Sequence, residues 1–226
     1  MEAIRARHSV RSYTDKPIEE EKLAELRRLV AECNSEGNLN IQLVVDSPKA
    51  FGSKLVHYGK FSGVRNYFAL IGPKGDDLDE KLGYYGQRLV LAAQTMGLNT
   101  CWVGQTYRKD PDSLQIGKGE KLRCVIPLGY GTTQGASHKV KPAEKVSNVA
   151  GDSPEWFRSG VEAALLAPTA LNQQKFTLEL VGDSRVRAKA GWGILSKMEM
   201  TFAMVDLGIV KYNFEVGAGR ENFEWA

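Results

Sequence analysis

"FTLELVGDS", residues 176–184, restates in the second half of the chain what "LNIQLVVDS", residues 39–47, presents in the first. Apolar residues coincide at 39/176, 41/178, 43/180 and 44/181, and both stretches end in Asp-Ser. Alternating apolar residues with β-branched neighbours predict a strand in each. Each is preceded by a predicted helix and an Asn-bearing loop, "ECNSEGN" at 32–38 and "APTALNQ" at 167–173. A helix–loop–strand unit therefore occurs twice, which points to an α+β chain with an internal pseudo-twofold repeat. Helix-then-strand is also the commonest unit in proteins that mix the two, so chance explains so short a match equally well.

Outward from these strands, "PIEEEKLAELRRLV" (17–30) has acidic residues first, basic residues last and apolar residues at helical spacing, which predicts an amphipathic helix with Pro17 in its first turn. "NYFALIGPKG" (66–75) reads as a strand. A long helix follows over 80–98, with Gly97 as its C-terminal stop, and then a short strand "TCWVG". "LRCVIPLGYG" (122–131) is a further strand leading into a polar loop over 129–149. Ser153 and Pro154 mark the start of another helix, which Pro168 ends. The expected architecture is a mixed sheet flanked by helices. Its two halves, 1–150 and 151–226, together form one domain.

With 226 residues, 42% hydrophobic and 25% charged, the composition is that of an ordinary globular chain. A formal charge of +3, spread over both halves, argues against nucleic acid or a membrane as partner. Cys33, Cys101 and Cys124 are an odd set without CxxC spacing, so no disulfide framework or zinc site is expected. The N-terminus has charged residues and no apolar signal core, and a cytoplasmic location is the expectation. His57 and His138 lack partners at metal or triad spacing, "GWG" (191–193) and "ENFEWA" (221–226) read as packing elements, and no GxGxxG follows a strand.

Two stretches carry chemistry. "RARHSVRSY" (5–13) gathers Arg5, Arg7, Arg11 and His8 around Ser9. Arg7, Ser9 and Arg11 alternate, so an extended backbone projects two guanidinium groups and a hydroxyl to one side, a donor set that suits a phosphate. Any isolated pair of arginines is also simply solvated. "APTALNQQKF" (167–176) clusters Thr169, Asn172, Gln173 and Gln174 after a helix end. Those groups suit edge-on recognition of a planar heterocycle, and equally a polar turn into a strand.

Taken together, these residues resemble the FMN-dependent nitroreductases. "IRARHSVRSY" is similar to that family's N-terminal I-x-x-R-x-S-x-R-x-[FY] element and "APTALNQQ" to its A-P-S-x-x-N-x-Q-P element. "GYYGQRLVLAAQTMGLNTCWVG" resembles its long helix and following strand, and "IPLGYGTTQGASHKVKP" its closing G-Y-P…[KR]-x-[KR]-P element. The order departs from the usual pattern: the Asn-bearing element follows the closing G-Y element, and "ECNSEGNLN" stands where it is expected. Family members are typically dimers with FMN at the interface. The resemblance therefore implies a chain that carries both subunits' contributions, with one FMN site per chain, a monomer sufficient to complete it and a homodimer still possible.

Carried over by position, the resemblance implies that Arg7, His8 and Ser9 hold the phosphate and ribityl end of FMN, and that Arg11 lies near N1 and O2 of the isoalloxazine and tunes its potential. Backbone N–H groups of Val103 or Gly104 would meet N5, Asn66 would bond the pyrimidine edge, and Lys139 and Lys141 would complete the phosphate site. Pro168, Thr169 and Asn172 would close over the ring. The implied activity is ping-pong hydride transfer from a transient NAD(P)H to a small-molecule acceptor such as a nitroaromatic or quinone. The alternatives are a flavin-binding or flavin-modifying protein of the same fold, or a relative that has lost its cofactor.

Overall fold

The computed structural model describes residues 1–48, 61–104, 114–191 and 197–226. His57 and residues 192–193 of "GWG" lie outside them. The chain forms two compact units, one of Ala6–Leu78 and Leu89–Ser137, the other of Met1–Arg5, Asp79–Arg88 and His138–Ala226. The fold class is α+β.

The first unit is built on an antiparallel sheet of β1 (Gln42–Val44), β2 (Asn66–Pro73), β3 (Asn99–Thr100) and β4 (Glu120–Gly129), in the order β1-β2-β4-β3. The apolar run Tyr67 to Ile71 is buried throughout, as a strand covered on both faces requires. Tyr67, Ala69 and Ile71 share one face, where they meet Val44, Leu122 and Val125, and also Val10 and Tyr13 from the N-terminal segment. Helix α2 (Glu20–Gly37) begins after Pro17, which was expected in its first turn, and runs through "ECNSEGN", expected as a loop, to end at Asn38, which adopts a left-handed conformation (φ 51°). The predicted strand "TCWVG" shrinks to Asn99–Thr100 plus a single bridge at Val103.

The second unit holds the hairpin β5 (Phe176–Val181) and β6 (Arg185–Ala190), with β7 (Glu224–Trp225) pairing in parallel to β6. Helix α4 (Glu155–Leu165) packs on α5 (Lys197–Ala218), and α3 (Leu78–Thr95) crosses this unit through residues 79–88. Pro154 takes the N-cap position of α4, one residue later than the sequence places it. Gly83 and Gly208 let α3 and α5 touch backbone to backbone: a Cβ on Gly83 would lie 2.0 Å from the Val205 carbonyl oxygen, and one on Gly208 2.0 Å from that of Glu80. Between the helices, Gln87 Nε2 donates to Asn213 Oδ1 at 2.9 Å and Asn213 Nδ2 donates to the Ala163 carbonyl at 3.0 Å, so these buried amides satisfy one another. The C-terminal "ENFEWA" packs aromatically, with Phe223 stacked on Trp156 and edge-on to Trp225 and Phe214.

Candidate functional site

After the short helix α1 (Glu2–Ala6), the chain runs extended beside the sheet of the first unit. Val10 N–H donates to the Thr100 carbonyl at 3.0 Å, Tyr13 N–H to Ser62 at 2.9 Å and Thr14 N–H to Tyr130 at 2.8 Å. The burial does not follow the alternation expected from the sequence: Arg7, Val10 and Tyr13, spaced by three, are buried while Arg11 is exposed, so the two guanidinium groups do not share one side of a regular strand. Arg7, only 3% exposed, is buried as a cation, and its Nε and Nη1 atoms have no hydrogen-bond partner among the described residues. Burial pulls its pKa from 12.5 down to about 10, with Cys101 acting in the opposite direction.

Burial pushes the Cys101 thiol up, while Arg11, a hydrogen bond from Ser9 and Arg7 act in the opposite direction. A buried guanidinium with unmade hydrogen bonds is costly unless an anion completes it. His8 and Ser9 are closely covered by Gly135, where a Cβ would lie 2.7 Å from the His8 Cβ and 3.0 Å from the Ser9 carbonyl oxygen. The closing loop must therefore be a bare backbone at that point, and Gly135 also holds φ at +76°.

The other expectations for this unit separate on geometry. Val103 exchanges backbone hydrogen bonds with Val125, 3.0 Å each way, so its N–H is committed to the sheet and is not the amide offered to a ligand. Among the described residues Gly104 has no such cross-strand bond. Asn66 Oδ1 accepts from Asp46 N–H at 3.0 Å, so its oxygen is engaged within the first unit.

In the second unit, Lys139, Lys141, Thr169 and Asn172 come together through Gln174, which the sequence places in the polar cluster but not among the expected cofactor-binding residues. Gln174 is 3% exposed; its Nε2 donates to the Lys139 carbonyl at 2.8 Å and to Asn172 Oδ1 at 3.0 Å, and its Oε1 accepts from Lys141 N–H at 2.9 Å. Asn172 Nδ2 donates to the Lys139 carbonyl at 2.8 Å, Lys141 Nζ to the Gln174 carbonyl at 3.0 Å, and Gln174 N–H to Thr169 Oγ1 at 3.0 Å. Pro168 is half-buried just before this turn. Leu171, Asn172 and Gln174 all have positive φ, 53°, 54° and 48°, a concentration of left-handed non-glycine residues that marks stored strain. A residue the sequence reading did not name, Asp206 of α5, accepts from Ala170 N–H with both oxygens, at 3.1 and 2.9 Å. Gln174 was legible as the Gln of the Asn-x-Gln element. The signal for Asp206 was a lone acid in the apolar run "FAMVDLGIV".

Among the described residues no group of His, Cys, Asp and Glu could hold a metal ion, and no helix is long and apolar enough to cross a membrane.

Comparison with known proteins agrees with this fold. Residues 1–218 match the family described as "Putative TM nitroreductase", and the chain belongs to that nitroreductase family. A crystal structure of a putative nitroreductase from Thermotoga maritima is similar with a TM-score of 0.69 and 20% identity, covering 97% of this chain and 83% of that one. An FMN-dependent nitroreductase from Clostridium difficile is similar with a TM-score of 0.50 and 18% identity, over 68% of this chain and 100% of that one. Nitroreductase A from Vibrio parahaemolyticus gives 0.52 and 17%, over 68% and 77%. No curated protein sequence matches the chain.

Proposed function

We propose that the protein is an FMN-dependent NAD(P)H oxidoreductase. The observation that carries this reading is Arg7, a buried cation with two unpartnered nitrogens in a segment also holding Ser9 and Arg11. The donors suit FMN: Arg7 meets an anionic phosphate, with His8 and Ser9 beside it. Arg11 offers a cation to the N1–C2–O2 edge, where negative charge collects on reduction. Gly104 N–H and the amide nitrogen of Asn66 are the remaining donors of this unit.

When bound, FMN supplies hydride acceptance from NAD(P)H and delivery to a nitroaromatic, quinone or similar acceptor. The chain supplies binding, orientation and charge, and needs no nucleophile of its own. Lys139 adds positive charge, while Lys141 holds the loop through the Gln174 carbonyl. From the order of the motifs we propose that Pro168, Thr169 and Asn172 serve the same FMN as the arginine segment of their own chain, so that a monomer suffices.

The test is the flavin absorbance and cofactor-to-chain ratio of the purified protein, followed by NAD(P)H oxidation with and without a nitroaromatic or quinone. Bound FMN with acceptor-dependent oxidation is expected. FMN without oxidation makes the protein a flavin-binding relative, and no affinity for added FMN overturns the assignment. Light scattering with flavin quantitation on diluted holoprotein tests the one-chain site, which loss of flavin in step with loss of a dimer would overturn.

A further inference from the structure

The turn Thr169–Gln174 combines features that a connecting loop does not need. Three of its residues hold left-handed backbone without being glycine. Leu171 at its tip is 69% exposed, an apolar side chain given to solvent. Its far end is fastened by buried Gln174, whereas its near end is fastened by one carboxylate from a different element, Asp206 of α5. That carboxylate receives the Ala170 N–H and no other hydrogen bond among the described residues.

We propose that Asp206 is a positioning residue, whose carboxylate grips the Ala170 amide with both oxygens and holds the strained Thr169–Gln174 turn in the conformation that meets the flavin. The proposal rests on the FMN reading for its functional half and on the hydrogen bond alone for its structural half. A strained turn relaxes when the contacts that over-determine it are removed, and the amide of Ala170 has the carboxylate as its partner. The site is also an expensive place for a carboxylate that only fills space: burial pushes its pKa up to about 7, against a single backbone bond that lowers it. An apolar residue would suit the α5 interior better, and what the carboxylate adds is the hold on the turn.

The experiment uses the full chain as wild type, Asp206→Ala and Asp206→Asn, with amide hydrogen exchange followed residue by residue and FMN affinity measured by titration. Asp206→Ala should raise exchange at Ala170 by about tenfold or more, through loss of its hydrogen bond, while exchange within α4 and β5 stays near wild type. Asp206→Asn keeps an acceptor oxygen and should restore most of the protection. FMN affinity should fall about tenfold in the alanine variant and recover in the asparagine variant. Unchanged Ala170 exchange in Asp206→Ala overturns the proposal, as does exchange that rises equally throughout the unit. If wild type fails to bind FMN at all, the FMN reading falls, and the exchange measurements still decide whether Asp206 holds the turn.

Discussion

Gln174 Nε2 donates to the Lys139 carbonyl at 2.8 Å, tying the Asn-bearing turn to the "HKVKP" segment 35 residues earlier. The same side chain accepts from Lys141 N–H, so one buried amide sets the spacing of both segments. Gln174→Leu keeps the volume and takes the Gln174 partner from Lys141 N–H and Asn172 Oδ1, while the Lys139 carbonyl keeps the Asn172 amide. The expected loss of stability is roughly 2–4 kcal/mol, from unsatisfied polar groups in a buried site. Urea denaturation of the apo protein measures it, and a variant as stable as wild type would mean that water replaces the amide at no cost.

Arg7 separates a functional cation from a structural one. A guanidinium that is buried and unpartnered weighs against the apo fold, and a hydrophobic residue of similar length removes that burden. Arg7→Met should therefore leave the melting temperature of the apo protein unchanged or higher, while FMN affinity falls at least tenfold through loss of a charge-assisted bond worth about 1.5–3 kcal/mol. A melting temperature that drops while FMN binds as tightly as before would make Arg7 a structural residue.

Arg11 is exposed, yet it acts on the same thiol as Arg7. If it faces the N1–C2–O2 edge, Arg11→Gln should lower the midpoint potential of bound flavin, because a neutral side chain no longer offsets the charge of the reduced ring. Spectroelectrochemical titration of the holoprotein reads this directly. An unchanged potential with flavin still bound would place the guanidinium elsewhere.

Strand β2 and helix α3 were legible because their signals are local: an unbroken apolar run in "NYFALIG" and helical spacing over 80–98. Helix α5 was not, because its segment is apolar nearly all round and lacks the polar stripe that marks an amphipathic helix. Only contacts distant in sequence reveal why: Gly208 and Gly217 face α3 and α4 closely enough that a Cβ would lie 2.0 Å from the Glu80 oxygen and 2.5 Å from the Ser159 oxygen. Asp206 was hidden for the same reason, its partner lying 36 residues away. The commitment of Val103 N–H to Val125 was likewise invisible, since a motif gives the position of an amide and not its hydrogen bond.

That helix contact yields its own expectation. Gly208→Ala places a methyl 2.0 Å from the Glu80 oxygen and 2.6 Å from Tyr84 N, both backbone atoms that cannot swing aside. The helices must separate, at an expected cost of roughly 1–3 kcal/mol or more, despite the better helix propensity of alanine. Thermal denaturation of the variant checks this, and a higher melting temperature would show that the helices part without penalty.

Asp206 gives stability a pH dependence whose sign follows from its burial. Its pKa is raised from 3.8 to about 7, so the folded protein holds a proton that the unfolded chain releases near pH 4. The stabilisation is fully present below pH 4 and is lost as pH rises through 7, because above it the buried group is ionised. Asp206→Asn cannot ionise and lacks this dependence. Subtracting the two unfolding free energies cancels the other titrating groups, which both proteins share. Wild type should therefore lose stability relative to Asp206→Asn between about pH 4 and 7, by up to roughly 4 kcal/mol, and the difference should level off above that range. Urea titrations of both proteins across pH 4 to 8 give the curve. A difference that stays flat would mean the carboxylate is ionised throughout, with donors enough to keep its pKa at the ordinary value.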